Sequence, residues 1–255
     1  MVSPARASIP SFSERISELM SRVDYRLATD PHDREEIFKL RYLAYRREES
    51  IPPNTSQVFS DDYDEKGNVG LYGVYIDGHL ASSVRIHIAT SSQPICPSLG
   101  PFEDVLGAEL EADKIVVDST RFVTDKALSQ ELTGLPHMAL RLCWQAVEFV
   151  KADHFLAAVR PEHQAFYRRT FGHRLICPAR TYPLLKTPIC LMSVGYADAV
   201  DDVYRRYPFY RTTAFERRML IANVLRREPV GPEIPDYLKV INGSNAKMMA
   251  ASQAS

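Results

Sequence analysis

Apolar positions along the chain alternate in some stretches and recur at helical spacing in others. Two alternating runs, GLYGVYI and HLASSVRIHIA, flank Asp77-Gly78. That dipeptide tolerates positive φ and predicts a tight β-hairpin. Further runs at 24–28, 114–123, 154–159, 173–177 and 189–196 read as strands. Between them Ile37, Leu40 and Ala44 share one helical face. Asp30-Pro31 supplies an N-cap and a first-turn proline, so a helix runs from there to about Glu49 and stops before Pro52-Pro53. Met138, Leu142, Ala146 and Val150 predict a second helix from about His137 to Ala152, with Arg141, Gln145 and Glu148 on its polar face. A short helix over PEHQAFYRRTFG ends at Gly172. Thr213-Ala-Phe-Glu216 has capping-box spacing and announces a terminal helix. The polar loop holding Asp61, Asp62 and Asp64 and the loop marked by Pro94, Pro97 and Pro101 read as connections.

This order predicts an α/β fold, a mixed sheet with helices on both faces. One compact domain over 23–200 is expected. A leader helix within 1–22 should be loosely attached, a helical extension should cover 201–241, and a flexible tail 242–255.

Composition narrows the function. The 255 residues carry 31 Lys and Arg against 32 Asp and Glu, a net charge of -1. No charge excess favours nucleic acid, and no uncharged apolar run reaches the roughly 18 to 20 residues of a membrane span. The N-terminal stretch lacks the continuous apolar segment of a secretory signal. Cys96, Cys143, Cys177 and Cys190 form no Cys-x-x-Cys pair and read as reduced thiols of a cytoplasmic protein, with no metal site.

A chemical site is suggested by charge in apolar surroundings. Asp118 lies in a central strand, where a carboxylate is costly unless paired or catalytic. Arg121 follows three residues later. Strand alternation puts the two on opposite faces unless a bulge intervenes. Arg85 and His87 share a face of the hairpin's second strand, and His87 is an alternative base.

These residues occur in an order that resembles the GCN5-related N-acyltransferase superfamily. The match consists of the Asp-Gly hairpin, the central strand with its long helix, and FLAAVR followed by PEHQAFYRRTFGHRLI. Its acyl-homoserine lactone synthase and N-acyl amino acid synthase branch is more similar still. That branch uses an arginine and an aromatic on the first helix (here Arg41, Tyr45), then acidic residues (Asp61, Asp62, Asp64), an arginine (Arg85) and a phenylalanine (Phe102). An acidic-x-x-Arg-Phe strand completes it (Asp118, Arg121, Phe122). The resemblance implies a mostly antiparallel sheet and acyl transfer to an amine. Asp118, Arg121, Arg85 and His87 are then the catalytic candidates. Arg41, Tyr45, Asp61, Asp62, Asp64, Phe102, Phe122, Val123 and Tyr167 are the substrate-binding ones. A backbone amide near Phe122 or Val123 would hold the oxyanion, and Tyr167 would protonate the departing thiolate. Phe102, Leu156, Ala157 and Ala158 would line an acyl tunnel.

Two departures sharpen the reading. Lactone synthases carry a tryptophan soon after the first aromatic; here 46–53 has none, which favours an N-acyl amino acid product over a lactone. Acetyl-CoA users cradle pyrophosphate in a glycine-rich loop at a helix N-terminus; here VTDKALSQELTGLPHMAL holds the single Gly134. An acyl-pantetheine donor on an acyl carrier protein is therefore expected rather than acyl-CoA. Lys151, Arg168, Arg169, His173 and Arg174 are the expected docking face for that acidic partner. A lactone synthase or a non-catalytic acyl-binding module are the alternatives.

Overall fold

The structure, a computed structural model, describes residues 11–182 and 185–225. Among them a seven-stranded sheet is built in the order β1-β2-β3-β4-β5-β7-β6. The strands are β1 (Val23–Leu27), β2 (Val69–Ile76), β3 (His79–Ala89), β4 (Val116–Thr124), β5 (His154–Val159), β6 (Arg174–Arg180) and β7 (Ile189–Val194). Every neighbouring pair is antiparallel except β4 and β5, which run parallel.

Helix α1 (Phe12–Met20) precedes the sheet. Helix α2 (Pro31–Arg47) lies on one face of it and α5 (Leu135–Val150) on the other. Alternation on β2 makes the two faces explicit. Leu71 joins the cluster of Ile37 and Phe38 from α2, whereas Tyr72 and Val74 join Met138, Leu142 and Trp144 from α5. Asp30 caps α2 by accepting from the Asp33 amide at 3.0 Å, and Asp77 takes φ 50 in the hairpin turn, as the sequence predicts. Trp144 stacks on Phe171 at 5.5 Å between ring centroids, in the fully buried centre of the α5 face.

The leader helix is not loosely attached. Ile16 and Leu19 are buried in the main core. A Cβ on Gly134 would lie 2.2 Å from Ile16 Cδ1, so a side chain there would make Ile16 shift. The expected polar face of α5 is also covered. Arg141 donates to Phe209 O at 2.9 Å and to Glu216 at 2.9 Å, and Glu148 pairs with Arg217 at 3.0 Å. The cover is α8 (Ala214–Leu225), whose Thr213–Glu216 capping box forms in both directions. Helices α3 (Glu103–Glu111) and α4 (Lys126–Glu131) occupy stretches where no helix is expected, and α7 (Tyr196–Arg206) starts within the expected strand 189–196 and runs into the expected helical extension. Helix α6 (Gln164–Phe171) ends at Gly172, φ 79. The expected extension over 201–241 instead begins inside α7 and lies outside the described residues beyond 225, as does the expected tail.

Candidate active site

The β3–β4 register slips between Ser83 and Arg85: Arg85 faces Thr120, while Ser83 faces Val123. Two residues of β4, Arg121 and Phe122, therefore oppose Val84 alone on β3, which is a β-bulge. Arg121 sits in it at φ 54, a conformation costing on the order of 1 kcal/mol for a non-glycine residue. The extra residue turns Arg121 onto the α2 face, the face of Arg85 and Asp118. This is the condition under which residues 118 and 121 can share a side.

Arg121 and Arg85 then grip one carboxylate. Arg121 donates to Asp61 Oδ2 from Nη2 at 2.6 Å and from Nε at 3.1 Å, and Arg85 Nη1 donates to Oδ1. Arg85 also approaches Asp64 at 3.1 Å. Asp64 accepts from Arg41 at 2.8 Å and from the Asp61 amide at 2.9 Å. The five side chains are buried. Burial pushes both aspartates up, but the neighbouring guanidiniums outweigh it and hold each carboxyl below the usual carboxylate range. Three cations against two anions leave one surplus positive charge. Arg41 Nε and Nη2 and Arg85 Nη2 have no hydrogen-bond partner among the described residues. Asp62, by contrast, is exposed on the 3-10 turn Asp62–Glu65.

Beside this network the sheet opens. The parallel ladder ends at Ser119–Ala157, yet β4 continues to Thr124 and β5 to Val159. The strands diverge around a cavity of about 420 Å³. It is lined from β4 by Ser119 to Thr124, from β5 by Ala158 and Val159, from the α2 face by Ala44, Tyr45, Arg47 and Leu185, and from the α5 face by Pro136, Phe166 and Tyr167. The opening thus passes between two strands and has walls on both sides of the sheet. Thr120 accepts from Arg85 Nε at 3.1 Å, tying this wall to the ion network. Arg121 lies under Phe59 and Tyr45, 4.6 and 5.5 Å from their ring centres.

Of the expected site residues, Tyr45, Arg121, Phe122, Val123 and Tyr167 line this cavity, while Arg41, Arg85, Asp61 and Asp64 stand behind it. Burial drives the Tyr167 hydroxyl pKa above the ordinary tyrosine value. Asp118 does not reach the opening. It is fully buried and its carboxylate holds Ser98, accepting from the backbone N and from Oγ, each at 2.9 Å. Burial raises its pKa against those two bonds. His87 is likewise enclosed, with Nε2 3.1 Å from Tyr63 O, and burial beside Arg85 lowers its pKa to about 3. Phe102 is sealed in a separate core cluster with Leu156 and Leu191, and Ala157 belongs to the main core. Of the expected tunnel residues, Ala158 alone lines the cavity.

The expected docking face is dispersed. His173 is fully buried among Phe155, Tyr167 and Phe171. Lys151 is at the far end of α5 from Pro136, roughly 22 Å away at 1.5 Å per residue, and its Nζ donates to Tyr196 Oη at 3.0 Å. Arg174 pairs with Ser193 at the end of β6 away from the opening. Arg168 and Arg169 are exposed on the last turn of α6.

Arg47, Glu48, Arg160, His163 and Thr187 also line the cavity and were not expected there. Arg160 pairs with Glu48 across the opening at 2.9 Å. A parallel strand pair places ligands beyond its carboxyl ends. That rule would have pointed to Arg160, the residue just after β5, had the sole parallel pair been known.

The profile of the N-acyl amino acid synthase FeeM matches residues 36–195, the segment that holds the sheet from β2 onward and the cavity. The chain belongs to the FeeM family of N-acyl amino acid synthases. It is an acyltransferase family, and the fold is that of the GNAT-like structures around it. FeeM itself, an N-acyl amino acid synthase from uncultured soil microbes, is similar in structure with a TM-score of 0.57 and 15% identity over 69% of this chain and 92% of that one. The acyl-homoserine lactone synthase MesI, described as CoA-dependent, gives 0.52 and 14% identity over 76% of this chain and 97% of that one. No curated protein sequence matches. As a family member, the chain requires an acyl donor and an acceptor. Among the described residues no helix is long and apolar enough to cross a membrane.

Proposed function

We propose that this family member transfers a long fatty acyl group from an acyl carrier protein to the amino group of an amino acid. The observation that carries the reading is the opening between β4 and β5, which offers two reactants separate approaches from opposite faces of the sheet.

The chemistry needs three things. The two reactants must be held at attacking distance. The carbonyl oxygen must be stabilised as it gains charge. The leaving thiolate must gain a proton. Beyond Ser119 the β5-facing edge of β4 is released from its ladder, so amides near Phe122 and Val123 serve the oxyanion. Tyr167, kept protonated by burial, gives its proton to the thiolate sulfur and regains one from the attacking nitrogen, which sheds its second proton as the C–S bond breaks and the amide forms. The ammonium proton of the acceptor leaves to water through the mouth of the opening, since Asp118 and His87 are closed off from it. We assign Asp118 to holding the Ser98 loop.

The N-terminus of α5 supports a carrier-bound donor. Leu135 N donates to Leu132 O at 2.9 Å, residue 136 is proline, and His137 N donates to Gly134 O at 3.0 Å. The amides that would cradle a pyrophosphate are spent, and α1 covers Gly134. The segment 46–53 holds no tryptophan, and its Ile51 is buried against Tyr42 and Phe59, which supports an ordinary amino acid as acceptor.

The test is incubation of the full chain with one acyl group presented on carrier protein or on CoA, with a panel of amino acids, and detection of the amide by mass. Faster turnover on the carrier and an N-acyl amino acid product are expected. Equal or better use of CoA overturns the donor assignment, and a homoserine lactone overturns the acceptor.

A further inference from the structure

Each cation on the cavity wall can be followed to its counter-charge. Arg121 is held by Asp61, a carboxylate it shares with Arg85 in the buried network. Arg160 is held by Glu48 at 2.9 Å and by Glu162 at 3.2 Å, and its Nη2 also lies 2.9 Å from His163 Nε2. Glu48, the single carboxylate among the described residues of the lining, is thereby used. Arg46, next in sequence, turns away and donates to Ile51 O at 2.7 Å. Arg47 remains. It lies on the last turn of α2, lines the cavity and is exposed, and its side chain makes no ion pair or hydrogen bond with any described residue. Among the described residues of the wall, Arg47 is therefore the guanidinium that no carboxylate holds.

Its side of the sheet decides which anion it meets. Arg47 projects from the α2 face with Tyr45 and Leu185, whereas Tyr167, Phe166 and Pro136 form the α5 face. A thiolate leaving toward Tyr167 places the pantetheine arm on the α5 side. The amine must then attack from the α2 side, where its own carboxylate is carried in with it. A guanidinium binds a carboxylate through two parallel N–H bonds, which fixes orientation as well as position.

We propose that Arg47 is the specificity residue for the acceptor, pairing with the α-carboxylate of the incoming amino acid; this rests on the acyltransferase reading above. An acceptor lacking that carboxylate, such as an amino-acid amide, leaves the arginine unpaired and binds less well. The N-acyl amino acid product keeps the carboxylate and is held by the same contact.

Calorimetric binding of N-dodecanoylglycine and N-dodecanoylglycinamide to the full chain tests this without turnover. A charge-assisted contact predicts roughly a tenfold or greater preference of the wild-type protein for the acid. Arg47→Ala should bind the two alike, and Arg47→Lys should keep part of the preference. A preference undiminished in Arg47→Ala overturns the proposal, as does wild-type protein that binds both equally or neither. In kinetics, Arg47→Ala should raise KM for the amino acid at least tenfold while KM for the acyl donor stays constant; a shift in the donor's KM instead assigns the arginine to the pantetheine phosphate and overturns the proposal. Wild-type protein that prefers the acid yet forms no amide removes the functional reading alone.

Discussion

Arg121 meets Asp61 through two nitrogens, at 2.6 and 3.1 Å from the same carboxylate oxygen, and it can do so because it occupies the bulge of β4 at φ 54. One residue inserted into a strand thus moves a position from the α5 face of the sheet into the buried ion network on the α2 face, and the same residue borders the cavity where the strands part. Asp61→Asn would leave Arg121 and Arg85 facing a neutral amide. Breaking a buried pair in this way costs about 3 to 5 kcal/mol. Urea unfolding should show that loss, whereas Asp62→Asn on the exposed turn should stay within about 0.5 kcal/mol.

Stability should depend strongly on pH. Burial lowers His87 and His173 to about 3 and His137 to about 4 in the folded chain. Unfolded histidines titrate at about 6.5. Between these values the unfolded chain binds more protons, so their contribution is complete above about pH 6.5 and is lost as pH falls toward 3 to 4. Three protons correspond to a limiting slope of about 4 kcal/mol per pH unit near pH 5. Asp61 and Asp64, held below the normal carboxylate range, add a further loss below about pH 4. Urea midpoints against pH measure the slope, and His173→Phe should reduce it by about one third.

Asp118 and Tyr167 should separate stability from chemistry. Asp118→Asn weakens the two bonds to Ser98, so about 1 to 3 kcal/mol of stability should go while folded protein keeps most of its rate. Tyr167→Phe should fold normally and lose about a hundredfold in kcat. A strong kcat loss in folded Asp118→Asn would return that carboxylate to the chemistry.

Local signals explain what the sequence disclosed. The Asp77-Gly78 turn, the Asp30 cap and the Thr213–Glu216 box act within four residues and can be read from spacing. The arginine, aspartate and aromatic order was visible as well, and most of that set does gather behind or along the opening. What was not visible depended on long-range partners. The apparently polar side of α5 is buried because α8 supplies Glu216 and Arg217 from some seventy residues away. Asp118 looked catalytic because nothing in its neighbourhood reveals that Ser98 folds back onto it. Arg160 and His163 join the site only through the end of the parallel pairing, which no local pattern encodes.

The central claim is that donor and acceptor meet between β4 and β5. Ala158 lines that passage and is half-buried, so Ala158→Trp should fill it at little cost to the fold. The rate of N-acyl amino acid formation, read by mass for wild-type and Ala158→Trp protein with matching thermal midpoints, tests the claim most directly. Amide from the wild type and almost none from the variant is the predicted result; undiminished amide from the variant would contradict it.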